Sequence, residues 1–565
     1  MRAWRYARAF ALLAFALPVT AGASEVAQLA WLRDGNFEAR QLLDAPGFSA
    51  QRAPADAPLV TPLGSLWKLF VFAYLEESGA AEQAYICRAE RTSPADEDRN
   101  CCEPGDRVAR APALARSCAP YFEPARLGIG REAWQRHWRE RSQAQWLLDL
   151  NRLRPATEVQ VKDLLAALEA ISPRARAAAR AALLETALAG YGREAWSALG
   201  TGLRYKTYTW HRADEPAISY GGAAGWLPDG TPFWFGARGS SRTALAAWAP
   251  RIAAALPRPR WPDAAVEAAA GPCVEVDFFA RYPLRAVWLE REEAKAPAGA
   301  LQGRYRLEFA NGNWLRVASA GELRLSGTMP PTISARFTLN EYVARVIERE
   351  GGTAEQQAAR ALAVAARSYL VQNARMEAGC WRIEDSSRTQ RVSANAPGAA
   401  ALEAAWFTDE LVLNGAPVRY HLDAPGDQRL SWHAARARAA EGWSFERILA
   451  EAYPRANLAA LSGIEDCARI PEAEIWLARS APVWRRRLQG QVGYEPPAEP
   501  PQVCTLAQGR PYSDARRMRI YVRGWRSLDE RVTLAHEYLH LAFRFYPRGA
   551  DEAYIERLAR RLLEG

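Results

Sequence analysis

The sequence predicts a multi-domain α+β protein whose C-terminal end is helical. Three observations predict it. At 565 residues the chain exceeds what one hydrophobic core organises, so three or four domains are expected. Two proline-rich stretches, Pro257 to Pro272 and Pro496 to Pro501, mark boundaries. The patterning also changes along the chain, from helices with some strands, to alternation around Asn311-Gly312, to helices again. The expected division is a leader at 1–23, a first domain at 24–260, a small β-rich module at 274–335, a mostly helical domain at 336–465 and a helical C-terminal domain at 466–565.

Arg2, Arg5 and Arg8 precede the apolar run Ala9 to Leu17, and Ala21-Gly22-Ala23 offers a cleavage site. This is the layout of a Sec-type signal peptide and implies a periplasmic protein. No cysteine follows that site, so no lipid anchor is expected, and no later apolar run is long enough to span a membrane. An even count of eight cysteines in an exported chain favours disulfides, Cys101-Cys102 included, with connectivity open. The net charge of +9 is spread rather than blocked. That excludes a nucleic-acid groove and is compatible with an anionic envelope polymer.

Lysine usage singles out the first domain. Four lysines stand against 69 arginines, and only lysine can turn into a neutral base when buried. Ser65-Leu66-Trp67-Lys68 opens an apolar helix, where positions i and i+3 share a face, so Lys68 can activate the Ser65 hydroxyl. Ser117-Cys118-Ala119 ends a helix-loop unit. Tyr205-Lys206-Thr207-Tyr208 reads as a strand, and Gly225-Trp226 to Phe233-Trp234-Phe235-Gly236 as a hairpin. In this order the stretches resemble the penicillin-binding protein and serine β-lactamase superfamily, over roughly residues 30–255. The resemblance implies an α/β domain with Ser65 as nucleophile, Lys68 as its base and Ser117 as proton relay. It also implies that Lys206 and Thr207 bind a substrate carboxylate. Ala119 departs from the family's Asn, and Tyr208 from its Gly, so that a bulky ring would narrow the site. No labelling by penicillin is the expected result.

In the middle, Thr338 to Glu341 fits a capping box for a helix ending at Glu350-Gly351-Gly352, and Thr353 to Gln356 fits a second one. Tyr342 to Glu350, followed by Ala363-Val364-Ala365-Ala366-Arg367-Ser368-Tyr369, resembles SpoIID, the family of sporulation lytic transglycosylases and their LytB relatives. That resemblance implies that Glu350 cleaves glycan strands as a catalytic acid and that Arg367 serves substrate binding. Leu362 replaces a usual Gln, and the later stretch Tyr420 to Gly426 departs from the family, leaving His421, Asp423 and His433 without a role.

The C-terminal signal is His536-Glu537-Tyr538-Leu539-His540 within the apolar run Thr533 to Phe543. On a helix both histidines share one face and can hold one Zn²⁺, with Glu537 beside it as general base. A second helix over Asp551 to Leu563 buries Ile555, Ala559 and Leu562, and Glu552 falls on the same face. Glu552 is therefore the expected third ligand, with Asp551 favoured as an ordinary N-cap and Glu556 as a competing ligand or a solvated residue. The layout resembles the gluzincin metallopeptidases, with a shorter spacing. Tyr554 or Tyr538 is the candidate oxyanion donor.

Together these imply a cell-wall remodelling enzyme that binds peptidoglycan and cuts peptide bonds with zinc. Two alternatives stand beside it. One is a scaffold of degenerate enzyme folds that binds peptidoglycan; the other is a wall-anchored protease of exported proteins. The whole assembly resembles exported bacterial proteins encoded near α2-macroglobulin-like genes, which implies an envelope partner of that kind.

Overall fold

Strands Val26–Arg33 and Asn36–Leu43 alternate their side chains between two apolar layers, and the first domain is built on that alternation. The computed structural model describes residues 26–564 apart from 44–48, 53–58, 88–100, 103–104, 106, 189–192, 212–216, 261–272, 292–293, 328, 420–427, 462–468, 498–499, 507–510 and 515–517. The expected leader, and His421 and Asp423, fall outside the described residues.

Six antiparallel strands run in the order Ser49–Arg52, Asn36–Leu43, Val26–Arg33, Pro232–Arg238, Ser219–Trp226 and Arg204–His211. Leu29, Trp31, Tyr205 and Phe235 face the helix Ser241–Ala255. Ala30, Leu32, Tyr208 and Trp234 face the helical half, whose centre is Trp67–Glu77. That helix is apolar on nearly every side, which is why it runs through the core rather than over it. The hairpin read at Gly225 to Gly236 is present, with Phe233 opposite Gly225. Gly225 permits the close approach of strand Arg204–His211: a Cβ there would lie 2.0 Å from the Arg204 carbonyl oxygen.

The sequence divides 274–335 from 336–465, but the structure joins them. A seven-stranded sheet runs Leu284–Leu289, Gly299–Phe309, Trp314–Ser326, Thr332–Thr338, Cys273–Phe278, Cys380–Glu384 and Arg375–Glu377. Cys380–Glu384 pairs in parallel with Cys273–Phe278, and the Cys273–Cys380 disulfide joins them. Helices Leu339–Glu350 and Gln356–Asn373 share one core with all of this. The physical reason is that one apolar face of the sheet needs a covering layer, and those two helices supply it. Thr338 caps the first helix as expected, whereas at the second Glu355 occupies the cap position without a side-chain bond.

A buried ionic knot fastens the first domain to the second. Arg204 donates to the Asp409 carboxylate at 3.3 Å and to Glu410 at 3.0 Å, and Arg180 lies 3.6 Å from Asp409. Burial, aided by the like charge of Arg204, pushes Arg180 down to about 10.

The C-terminal domain packs helices Pro471–Leu488, Leu528–Ala542 and Glu552–Glu564 around a small sheet of Gln502–Thr505, Arg519–Val522 and Tyr512–Asp514. The HEYLH helix starts earlier than its apolar run, because Ser527 and Glu530 form a full capping box. Asp551 accepts the Tyr554 N–H at 3.0 Å, the N-cap role expected of it. Cys87–Cys102 and Cys101–Cys118 are disulfides, so the adjacent Cys101-Cys102 pair serves two bridges.

Candidate functional site

One helical turn separates His536 from His540, and their Nε2 atoms approach to 3.0 Å. Glu552, at the first position of the next helix, sets Oε2 3.0 Å from His536 Nε2 and 3.5 Å from His540 Nε2. Zinc with bonds of about 2.0–2.1 Å in a tetrahedron separates its ligand atoms by about 3.3 Å, so these three fit that ion. The outer ring nitrogens are also held. His536 Nδ1 lies 2.9 Å from Glu556 Oε2, and His540 Nδ1 lies 2.8 Å from the Gly549 carbonyl oxygen. Such backing fixes the tautomer that leaves Nε2 free to ligate. Glu556 therefore stands behind the ring, not among the converging atoms, and that corrects its place as a competing ligand.

Hydrogen bonds from His536, then His540, hold Glu552 well below the usual carboxylate range. Burial lowers His536, but Glu552, Glu537 and Glu556 outweigh it and raise the imidazole. Glu537 is buried, and burial raises its carboxyl.

A cleft of about 700 Å³ opens beside these groups, lined by Glu537, His540, Glu552, Tyr512 and Ser513, and by Gly415–Pro417 and Arg455 of the middle domain. Neither expected oxyanion donor reaches it. Tyr538 packs on Trp484 in the core, and Tyr554 bonds Gln491 at 2.9 Å beside Phe543. Both rings sit on the inward face of their helix, where burial of an aromatic body wins. Tyr512 and Ser513, on strand Tyr512–Asp514, and Arg455 of the middle domain do line the cleft, and they carry no signal in sequence because they lie on elements apart from the HEYLH helix.

In the first domain Ser65 lies in the short turn Gly64–Leu66 that leads into Trp67–Glu77. Lys68 Nζ donates to Ser65 Oγ at 3.1 Å, to Ser117 Oγ at 2.9 Å and to the Ser117 carbonyl at 2.6 Å. Ser117 sits at φ 59°, a left-handed conformation that non-glycine residues rarely take. The structure thus brings Ser65, Lys68 and Ser117 together. Lys206 is buried and Nζ reaches the Thr207 carbonyl at 3.2 Å, while Thr207 is half-buried. Tyr208 corrects an expectation: its ring turns into the core, against Gly64, with its hydroxyl 3.0 Å from Thr61 and 3.1 Å from Trp234. It does not lie along the strand's outer edge.

Glu350 ends its helix half-buried, and Oε1 accepts the Arg391 N–H at 2.6 Å. Leu362 is core, packed under Gly351, and Trp432 stands over the same glycine. His433 lies exposed on Trp432–Ala440. Arg367, expected to bind substrate, is fully buried instead. Its guanidinium donates to the carbonyls of Thr408, Ala405 and Leu411 and to Asn340, tying helix to strand. A cation so enclosed needs all of those acceptors for itself.

A family model described as "Predicted secreted protein (DUF2300)" matches residues 93–217 and 428–548. The uncharacterized protein YfaQ of Escherichia coli (strain K12) is 41% identical over 534 residues, which cover 94% of this chain and 95% of that protein. The chain belongs to the DUF2300 family. The segments matched by the DUF2300 model contain Ser117, Lys206, Arg455 and the HEYLH helix. Solved structures are similar over part of the chain. The transpeptidase domain of FtsI4 D,D-transpeptidase from Legionella pneumophila is 15% identical, covering 41% of this chain and 88% of that one, with a TM-score of 0.26. A class A β-lactamase representing the last common ancestor of Gram-negative bacteria is 14% identical, over 41% and 93%, with a TM-score of 0.27. Part of this DUF2300 chain resembles, at low coverage, the serine β-lactamase and transpeptidase fold. Among the described residues, no helix is long and apolar enough to cross a membrane.

Proposed function

We propose that this secreted-family protein is a cell-envelope hydrolase whose C-terminal domain cuts peptide bonds with zinc, acting on peptidoglycan in the periplasm. The observation that carries it is the convergence of His536, His540 and Glu552 on one point beside buried Glu537, at a cleft open to substrate. His536, His540 and Glu552 would hold the ion. When bound, zinc supplies a Lewis acid that polarises the scissile carbonyl. Glu537 would take a proton from the attacking water at its carboxylate and return it to the leaving amine. The middle domain would hold the glycan strand near Glu350, either cleaving it or only binding it.

A second reading is acyl transfer at Ser65, favoured by the bonds from Lys68 to both Ser65 and Ser117. The two readings concern different domains and do not exclude each other. The scaffold alternative remains for the first domain, where Ala119 and Tyr208 replace the family's residues.

Metal content of the purified mature chain tests the leading proposal. About one zinc per chain, lost in His540→Ala, is the expected result. No zinc in either protein would refute it and shift the weight to Glu350 and Ser65.

A further inference from the structure

We propose that the metal centre is shared between two domains: Arg455 of the middle domain positions Glu552, so that metal binding and docking of the two domains reinforce one another. This rests on the zinc-site proposal above. Arg455 Nη1 donates to Glu552 Oε1 at 2.6 Å across 97 residues of chain. The other oxygen of that carboxylate faces His536 and His540. One carboxylate therefore offers one oxygen to the metal position and the other to the arginine.

The side chain of Glu552 is half exposed at the first position of a helix, where a long carboxylate has many rotamers. A charge-assisted bond from a fixed guanidinium selects the rotamer that reaches the histidines. Arg455 is itself held. With its amide oxygen turned toward Arg455, buried Gln428 accepts from both the backbone N–H and Nε at 3.2 Å.

Strand pairing explains how the middle domain delivers this group. Leu411–Asn414 runs antiparallel to Asn457–Ala460, with Asn414 opposite Asn457. Gly415–Pro417 and Arg455 consequently emerge at the same end of that ribbon, and both line the cleft. The middle domain thus supplies a wall and a positioning residue, and the C-terminal domain supplies the ligands. By linkage, whatever tightens metal binding through Arg455 tightens docking by the same factor.

The test uses the full mature chain and zinc competed against a chromogenic chelator. Arg455→Ala is expected to weaken zinc binding about 10–100-fold, with Arg455→Lys recovering part of the loss. Cobalt substituted for zinc should show a changed visible spectrum in Arg455→Ala. Zinc should slow amide exchange in strand Asn457–Ala460 of the wild type and not of that variant. Binding within twofold of wild type, an unchanged cobalt spectrum and zinc-independent exchange would overturn the proposal while His540→Ala still loses the metal. A wild type that binds no zinc, or a His540→Ala that binds like wild type, would overturn the metal site itself.

Discussion

Replacing Glu556 by Ala removes the acceptor 2.9 Å from His536 Nδ1 while leaving every converging ligand atom in place. Without that carboxylate, the His536 ring loses the bond that fixes its tautomer and its rotation about χ2, and both must then be ordered by the metal. Loss of such an outer partner costs about 10–100-fold in affinity, or about 1.4–2.7 kcal/mol. Glu556 also pairs with Arg560 at 2.8 Å, but that pair is exposed and worth about 0–1 kcal/mol at most. The metal-free variant should therefore unfold at nearly the wild-type denaturant concentration. Chelator competition at fixed pH reads the affinity, and Glu556→Gln, which keeps an acceptor without the charge, should fall between the two. Zinc held as tightly as in wild type would refute the reasoning. A loss as complete as that of His540→Ala would also refute it, by making Glu556 a ligand rather than a support.

Glu537→Gln should keep zinc and lose peptide hydrolysis by at least about 10²-fold, the scale of a lost general base; equal activity would remove Glu537 from the chemistry. Asp409→Ala leaves Arg204 and Arg180 buried without their shared carboxylate and should destabilise by about 3–5 kcal/mol in denaturant unfolding, with Asp409→Asn milder. Tyr208→Phe should cost about 1–2 kcal/mol at pH 8, since Thr61 and Trp234 lose their partner. Burial pushes Tyr208 up to about 12, so its folded form holds the proton more tightly than the unfolded chain. The associated stability is full below pH 10 and falls by about 2–3 kcal/mol as pH rises toward 12, which the Phe variant escapes. The wild type's lead at pH 8 should then vanish and reverse over that window, and a constant gap from pH 8 to 12 would count against the burial argument.

Local chemistry was legible wherever it is carried by spacing along one element. The i, i+4 histidines, the Ser65 and Lys68 pair at i, i+3, the Asp551 cap and the Asn311-Gly312 hairpin all follow from helix or strand periodicity, which neighbours impose on each other without help from the rest of the chain. The SpoIID resemblance misplaced Arg367, because a family motif assigns a residue to substrate without showing the carbonyls that enclose it here. Tyr208 was misjudged for a related reason: comparison with the family's Gly sets a bulky ring at the site, but only packing decides that the ring turns into the core.

Sequence by itself determined the mixed α+β character of the chain, the helices that carry the HEYLH and Ser65–Lys68 residues, and the pairing of His536 with His540 on one face. Tertiary structure alone decided that the β-rich stretch and the helices after it are one domain, because a sheet finds its cover by burial rather than by order in the chain. It also decided where Glu552, Glu556 and Arg455 stand relative to the two histidines. Their chemistry depends on distances of about 3 Å between groups on separate elements, and no pattern along the chain encodes such a distance.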